Sequence, residues 1–205
     1  VLGMAYVSMV KGSVPFLLLS YIIPDWDIVP DSEITYDNQS FEETIKADQI
    51  ATQQSIDSAI ISAYKEAGKP VTVESEKVNI TYIENAADTD LQLFDQILQI
   101  DGKEIKSTED LRAIINSHQA GDTLAIKVLR DEEQKECYAK IYQSETGLKI
   151  GIAITVTYNY KEDPVASIEM KQSESGPSGG LMMSLAIYDA LTEEDITKGK
   201  KIIGT

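Results

Sequence analysis

The stretch Glu174-Ser175-Gly176-Pro177-Ser178-Gly179-Gly180 runs directly into Leu181-Met182-Met183-Ser184-Leu185-Ala186-Ile187-Tyr188-Asp189-Ala190-Leu191. Glycine and proline at that density fix a tight loop that ordinary residues cannot follow. The apolar segment behind the loop reads as a helix. One hydroxyl, Ser178, stands inside the loop close to the helix start. A helix N-terminus offers unpaired amide N–H groups and a partial positive charge. Such a setting suits a nucleophile whose product carries an oxyanion, because donors already stand where negative charge develops. Two plainer readings of the same residues remain open. One is a structural turn with Ser178 as helix cap, which spacing alone favours. The other is an anion site of the phosphate-cradling kind, weakened because no Gly-Lys-Ser/Thr follows the loop.

The run from Gly176 to Thr205, GPSGGLMMSLAIYDALTEEDITKGKKIIGT, resembles the nucleophile region of Lon-type serine peptidases. More narrowly, it is similar to the PDZ-containing, membrane-tethered Lon-like proteases of Gram-positive bacteria. That family uses a Ser–Lys dyad, so the resemblance implies Ser178 as nucleophile. Gly176, Pro177, Gly179 and Gly180 would then form the loop and its oxyanion donors. The family more often carries alanine after the serine, where this chain has Gly179. A serine hydroxyl is a poor nucleophile until a base takes its proton, and a lysine serves as that base only when burial lowers its pKa. The resemblance places the lysine beyond Thr205, and it implies that Thr205 helps to orient it. The stretch as it stands is therefore expected to be inactive by itself. Lys198, Lys200 and Lys201 do not stand in the family motif and read as the solvated end of a helix.

Length and composition bound the other possibilities. The chain has 205 residues, with 42% hydrophobic and 25% charged residues, as in a soluble globular protein of one or two domains. A net charge of −16 argues against nucleic acid as a partner and against peripheral binding to anionic lipid. One cysteine, Cys137, permits no internal disulfide. One histidine, His118, rules out a histidine-based metal cluster and makes a Ser–His–Asp triad improbable. It falls at the end of an expected helix, where capping is its expected role. No cofactor motif is present.

In chain order, Met4–Val10 reads as a strand that follows the family's transmembrane anchor. That anchor would lie outside this sequence, and both ends read as cuts. The apolar run from Val14 to Ile23 is half the length a membrane span needs, about twenty residues, so it reads as a buried helix. No signal peptide is visible. Residues 24–30 form a turn-rich connector. Residues 40–67 read as a helix with an apolar stripe of Ile56, Ile60, Ala63 and Ala67, stopped by Gly68 and Pro70. Its opposite face, with Asp48, Gln53, Gln54, Asp57 and Lys65, reads as solvated.

Residues 71–142 form a module. Strands are expected at Val71–Glu74 and Val78–Ile83, and a tight turn at Asp101-Gly102. A helix opens at Ser107-Thr108-Glu109-Asp110, with serine at the cap and an acid three residues on. Strands follow at Leu124, Ile126 and Val128, and at Cys137, Ala139 and Ile141. The segments DQILQIDGKEIKSTEDLRAII and GDTLAIKVLR within it resemble a bacterial PDZ domain. PDZ domains bind an extended peptide as an added strand beside a helix. The resemblance implies groove walls at Val78, Ile80 and Tyr82 and at Leu111, Ile114 and Ile115, although core packing is the better reading for two of the last three. Phe94 stands where that family has glycine before the aspartate. The doubly acidic Glu74–Lys77 segment does not read as a carboxylate-binding loop.

Residues 147–160 read as a strand of high β-propensity, and Val165–Met170 as a second strand leading to Ser178. The expected fold is α+β. A Lon-type peptidase domain, made of residues 1–70 and 147–205 and incomplete at its end, carries a PDZ domain inserted at 71–146. The expected function is a serine endopeptidase on the outer side of the cell membrane, acting on peptides or exported proteins that the PDZ module binds or gates, and possible as a homo-oligomer. The alternative is a non-catalytic peptide-binding protein on a peptidase-like scaffold.

Overall fold

The computed structural model describes all residues except 1, 6, 8, 37–38, 169–176, 194 and 205, and of Pro177 only the backbone. The chain opens with β1 (Leu2–Met4), two short helices, α1 (Val14–Ser20) and α2 (Asp31–Ile34), and the long helix α3 (Phe41–Glu66). A β-rich stretch follows: β2 (Val71–Ile83), β3 (Gln96–Ile100), β4 (Lys103–Glu104), α4 (Thr108–Asn116), β5 (Thr123–Arg130) and β6 (Glu133–Lys140). Then come β7 (Tyr142–Ser144), β8 (Gly147–Lys149) and β9 (Ile152–Glu162), and at the end α5 (Gly180–Leu191) and β10 (Ile202–Gly204).

One mixed-length antiparallel sheet runs in the order β6-β5-β3-β2-β9, with β4 paired to β3. Its core face follows the alternation in the sequence. Leu124, Ile126 and Val128 of β5, Ile97 and Ile100 of β3, Val78 and Ile80 of β2 and Val156 of β9 are all buried. Helix α4 covers them with Leu111, Ile114 and Ile115, so these side chains make one continuous apolar cluster. Residues 71–83 form one strand, where the sequence suggested two. The bulge between Val73 and Ser75 absorbs the polar break without ending the pairing.

A buried ion pair pins the sheet from inside. Asp95 is 1% exposed and takes both arms of a fork from Arg130, Nε at 2.7 Å and Nη2 at 2.6 Å. It also accepts the Gln92 amide at 2.8 Å. Bidentate pairing of this kind is the geometry that makes a buried carboxylate tolerable. The residue before it, Phe94, holds φ +72°, a left-handed conformation that glycine takes without strain. The departure noted in the sequence is thus a backbone position kept despite its side chain. Lys46 of α3 sits 3.9 Å above the Phe94 ring.

Helix α3 begins with a reciprocal cap. Ser40 Oγ accepts the Glu43 amide at 3.2 Å, and Glu43 accepts the Ser40 amide at 2.8 Å. It ends at Gly68, whose φ is +63°. The helix crosses β2 and β9 from Gln39, which donates to the Thr81 carbonyl, to Tyr64, whose hydroxyl donates to the Pro164 carbonyl. Its expected solvated face needs correction at Asp57, which is 1% exposed. Helix α5 lies on α3, with Gly180 against Ser55. Strands β1 and β10 pair in parallel beside α5.

Two further expectations fail. The run from Val14 to Ile23 is not a buried helix: α1 spans only Val14–Ser20 and buries none of its residues. Phe16, Leu17, Leu18, Leu19, Tyr21 and Ile22 are exposed, because no described element packs over them beyond the edge-on contact of Phe16 with Trp26. Among the described residues the strand expected over Met4–Val10 amounts to Leu2–Met4. Its partner β10 supplies three residues, and the Ala5 amide donates to the Gly204 carbonyl. Residues 165–168 lie outside regular structure, and the end of that expected strand, Glu169 and Met170, lies outside the described residues. Among the described residues no helix is long and apolar enough to cross a membrane.

Candidate functional site

Binding is expected at an edge of the sheet, and chemistry at the turn that carries Ser178. The sheet edge follows from backbone alternation. The Ile80 amide donates to the Asp95 carbonyl and the Ile80 carbonyl accepts from the Phe94 amide, so Ile80 faces β3. Successive residues of a strand face opposite sides. Asn79 and Lys77 therefore face β9, opposite Thr155 and Thr157. On β9 the Gly151 carbonyl accepts from Glu84, on the β2 side. By the same alternation Ile152, Ile154, Val156 and Tyr158 turn their amides and carbonyls outward. Tyr158 bears this out, since its amide donates to Asp57 Oδ2 at 2.8 Å rather than to β2. Among the described residues Ile152, Ile154 and Val156 have no such partner, and β9 is paired on one side only.

This corrects the expected groove. Val78 and Ile80 belong to a strand flanked by β3 on one side and β9 on the other, and both side chains are fully buried. Tyr82 pairs with Ala153 and is half-buried. None of the three offers a backbone edge to a ligand. Leu111, Ile114 and Ile115 are all buried in the same cluster as Val156. Helix α4 nevertheless flanks the open edge: it packs against β8, and Glu109 acts on the Tyr158 phenol with Glu76 and Asp57, whose charges add to burial in raising its pKa. The helix is held by the expected cap, with the Asp110 amide on Ser107 Oγ at 3.1 Å.

The segment that leads into the open strand is Leu148–Ile152, and Glu74–Lys77 lies in the middle of β2. Gly151 has φ +74°, and a Cβ there would stand 2.7 Å from the Ala87 Cβ. Only glycine fits. Beside it, Tyr142 donates to Glu84, and Lys149 Nζ lies 3.6 Å from the same carboxylate. Burial, reinforced by Glu84, pushes the Tyr142 phenol up to about 12.

A separate cleft of about 450 Å³ opens where β2 and β3 diverge below Val78, lined by Glu74, Glu76, Gln99, Glu104 and Lys106 among others. The bulge between Val73 and Ser75 interrupts its strand edge, so it presents no continuous row of backbone groups.

Ser178 lies exposed on the 3-10 turn Pro177–Gly179, immediately before α5. The plain cap reading fails here. The residue at the cap position is Gly179, and no side chain caps α5. A Cβ at Gly179 would collide with the Met4 Sδ, so the glycine lets the turn rest on β1. Gly176 and Thr205, named with this site in the sequence, lie outside the described residues. His118 caps α4 as expected, its Nδ1 2.8 Å from the Ile114 carbonyl. Burial raises the pKa of the Cys137 thiol, which is buried in the sheet and suited to packing rather than attack. No cluster of metal-ligating side chains occurs among the described residues.

Residues 64–141 match the PDZ domain family. The chain contains a PDZ domain. Among solved structures, it is similar to the PDZ domain of the SdrC-like protein of Listeria monocytogenes, at 26% identity over 42% of this chain and 92% of that one, with a TM-score of 0.36. The corresponding domain from Listeria innocua is 27% identical over 38% of this chain and 92% of that one, TM-score 0.35. A protein of Geobacillus thermodenitrificans is 22% identical over 39% and 98%, TM-score 0.35. No curated protein matches the chain. PDZ domains bind peptides or proteins, and the strand that adds the ligand lies at a sheet edge beside a helix. β9 follows the matched residues and pairs with β2 inside them, and among the described residues it is an end strand of the sheet near α4. Its alternation was visible in the sequence, but which strand it joins was not, because pairing across more than 70 residues leaves no local mark. The glycine of the Leu148–Ile152 segment was the one available sign.

Proposed function

We propose that the PDZ domain takes up an extended peptide along the outer edge of β9, beside α4, and that it does so for a serine endopeptidase of the Ser–Lys type. In this reading Ser178 attacks the peptide carbonyl, and amides at the start of α5 hold the oxyanion. Water then releases the acyl group from Ser178. The enzyme acts on the outer side of the cell membrane, from a membrane anchor, on peptides or exported proteins. The lysine that takes the Ser178 proton lies in the polypeptide that follows Thr205.

The observation that carries the binding step is the row of outward backbone groups at Ile152, Ile154 and Val156, left without a partner strand among the described residues. The cleavage step rests on the resemblance of residues 176–205 to Lon-like proteases. An exposed Ser178 at an uncapped helix start supports it. The test is cleavage of an unfolded peptide by the polypeptide extended to include the lysine. Ser178→Ala should abolish cleavage and leave peptide binding intact. Cleavage that survives the substitution removes Ser178 as nucleophile. Binding without cleavage in the unsubstituted protein favours a peptide-binding protein on a peptidase-like scaffold.

A further inference from the structure

Asp57 is a buried carboxylate with no ion-pair partner among the described residues. It is 1% exposed, and its two oxygens are taken by neutral donors, Gln53 Nε2 at 2.7 Å and the Tyr158 amide at 2.8 Å. The second donor is unusual in kind. It is the next outward amide in the row that begins with Ile152, Ile154 and Val156, and so the one a longer added strand would need. Asp57 comes from α3, outside the β-strands and α4, and α3 packs along β9. A ligand strand growing along β9 therefore meets a carboxylate already bonded to its next donor.

We propose that Asp57 sets the length of peptide that the PDZ domain reads, ending the binding edge at Val156. This rests on the peptide-binding reading above. Three outward residues, spaced two apart, pair with about six residues of an added antiparallel strand. Ligand residues beyond that leave the sheet edge and contribute no further strand pairing. The same helix carries Ser55 against Gly180, two residues before Asp57.

The test is a series of extended peptides of four to ten residues, titrated by fluorescence anisotropy against the whole chain. Affinity should rise with length up to about six residues and then level off. In Asp57→Ala, which exposes the Tyr158 amide, eight- and ten-residue peptides should gain about 3- to 10-fold, the worth of one added backbone hydrogen bond, while four-residue peptides stay unchanged. Asp57→Asn keeps an acceptor oxygen over the amide and should retain the plateau. Affinity in the unsubstituted protein that climbs steadily past six residues overturns the proposal, even if Asp57→Ala fails to fold. Equal length dependence in all three proteins overturns it as well. Absence of binding at every length instead overturns the peptide-binding reading, and the length limit with it.

Discussion

The PDZ sheet and the layer that carries Ser178 are built from different materials. The sheet encloses a continuous apolar cluster, from Val78 to Val156, and fixes it with a buried Asp95–Arg130 fork. Among the described residues the Ser178 layer is built on the buried face of α3, with Ala59, Ile60, Ala63 and Tyr64, and on the methionines of α5. It rests α5 on α3 through small residues, Gly180 on Ser55, and fills the remaining space with Met4, Met182 and Met183 around Gly179 and Gly204. Methionine adapts to irregular gaps, whereas branched side chains specify one packing. The difference separates a sheet that holds its own shape from a turn whose shape depends on close backbone contacts.

Substitutions can break this comparison or sharpen it. The largest effect is expected inside the sheet. Asp95→Ala strands the Arg130 guanidinium and should cost about 3–5 kcal/mol in urea unfolding. Gly151→Ala should cost about 2 kcal/mol, because its left-handed backbone and the Ala87 contact both exclude a methyl. It should also reduce peptide affinity, since the strand that follows must shift. On the other side, Gly179→Ala should cost only about 1 kcal/mol, because the flexible Met4 side chain can turn away. Hydrogen exchange across α5 should quicken while the sheet stays protected. A loss as large as that of Asp95→Ala would erase the contrast between the two regions. The smallest effect has the opposite sign. Phe94→Gly relieves a left-handed φ of +72° but gives up the Lys46 contact, for a net gain of about 0.5 kcal/mol.

What the sequence made legible was local. The Ser107 cap, the alternation of Leu124, Ile126 and Val128, and the stop at Gly68 each depend on neighbours a few residues away. Val78 and Ile80 were expected at an open edge because β2 and β9 alternate equally well, and only distant pairing decides which of them lies at the edge. Asp57 was read as solvated for the same reason. A carboxylate that serves a backbone amide 101 residues away has no sequence signature. The run from Val14 to Ile23 failed differently, since apolar composition implies burial only where another surface is available to cover it. At Ser178 the Gly-Pro-Ser-Gly-Gly pattern located the turn correctly, while the cap fell one residue later, at Gly179.

Residue-resolved hydrogen exchange, with and without an eight-residue extended peptide, tests the location of the binding edge most directly. The amides of Ile152, Ile154 and Val156 should become protected, with Tyr158 already slow before peptide is added and β2 unchanged. Protection that appears instead along Val73–Glu76, or leaves β9 untouched while peptide is bound, would contradict this account.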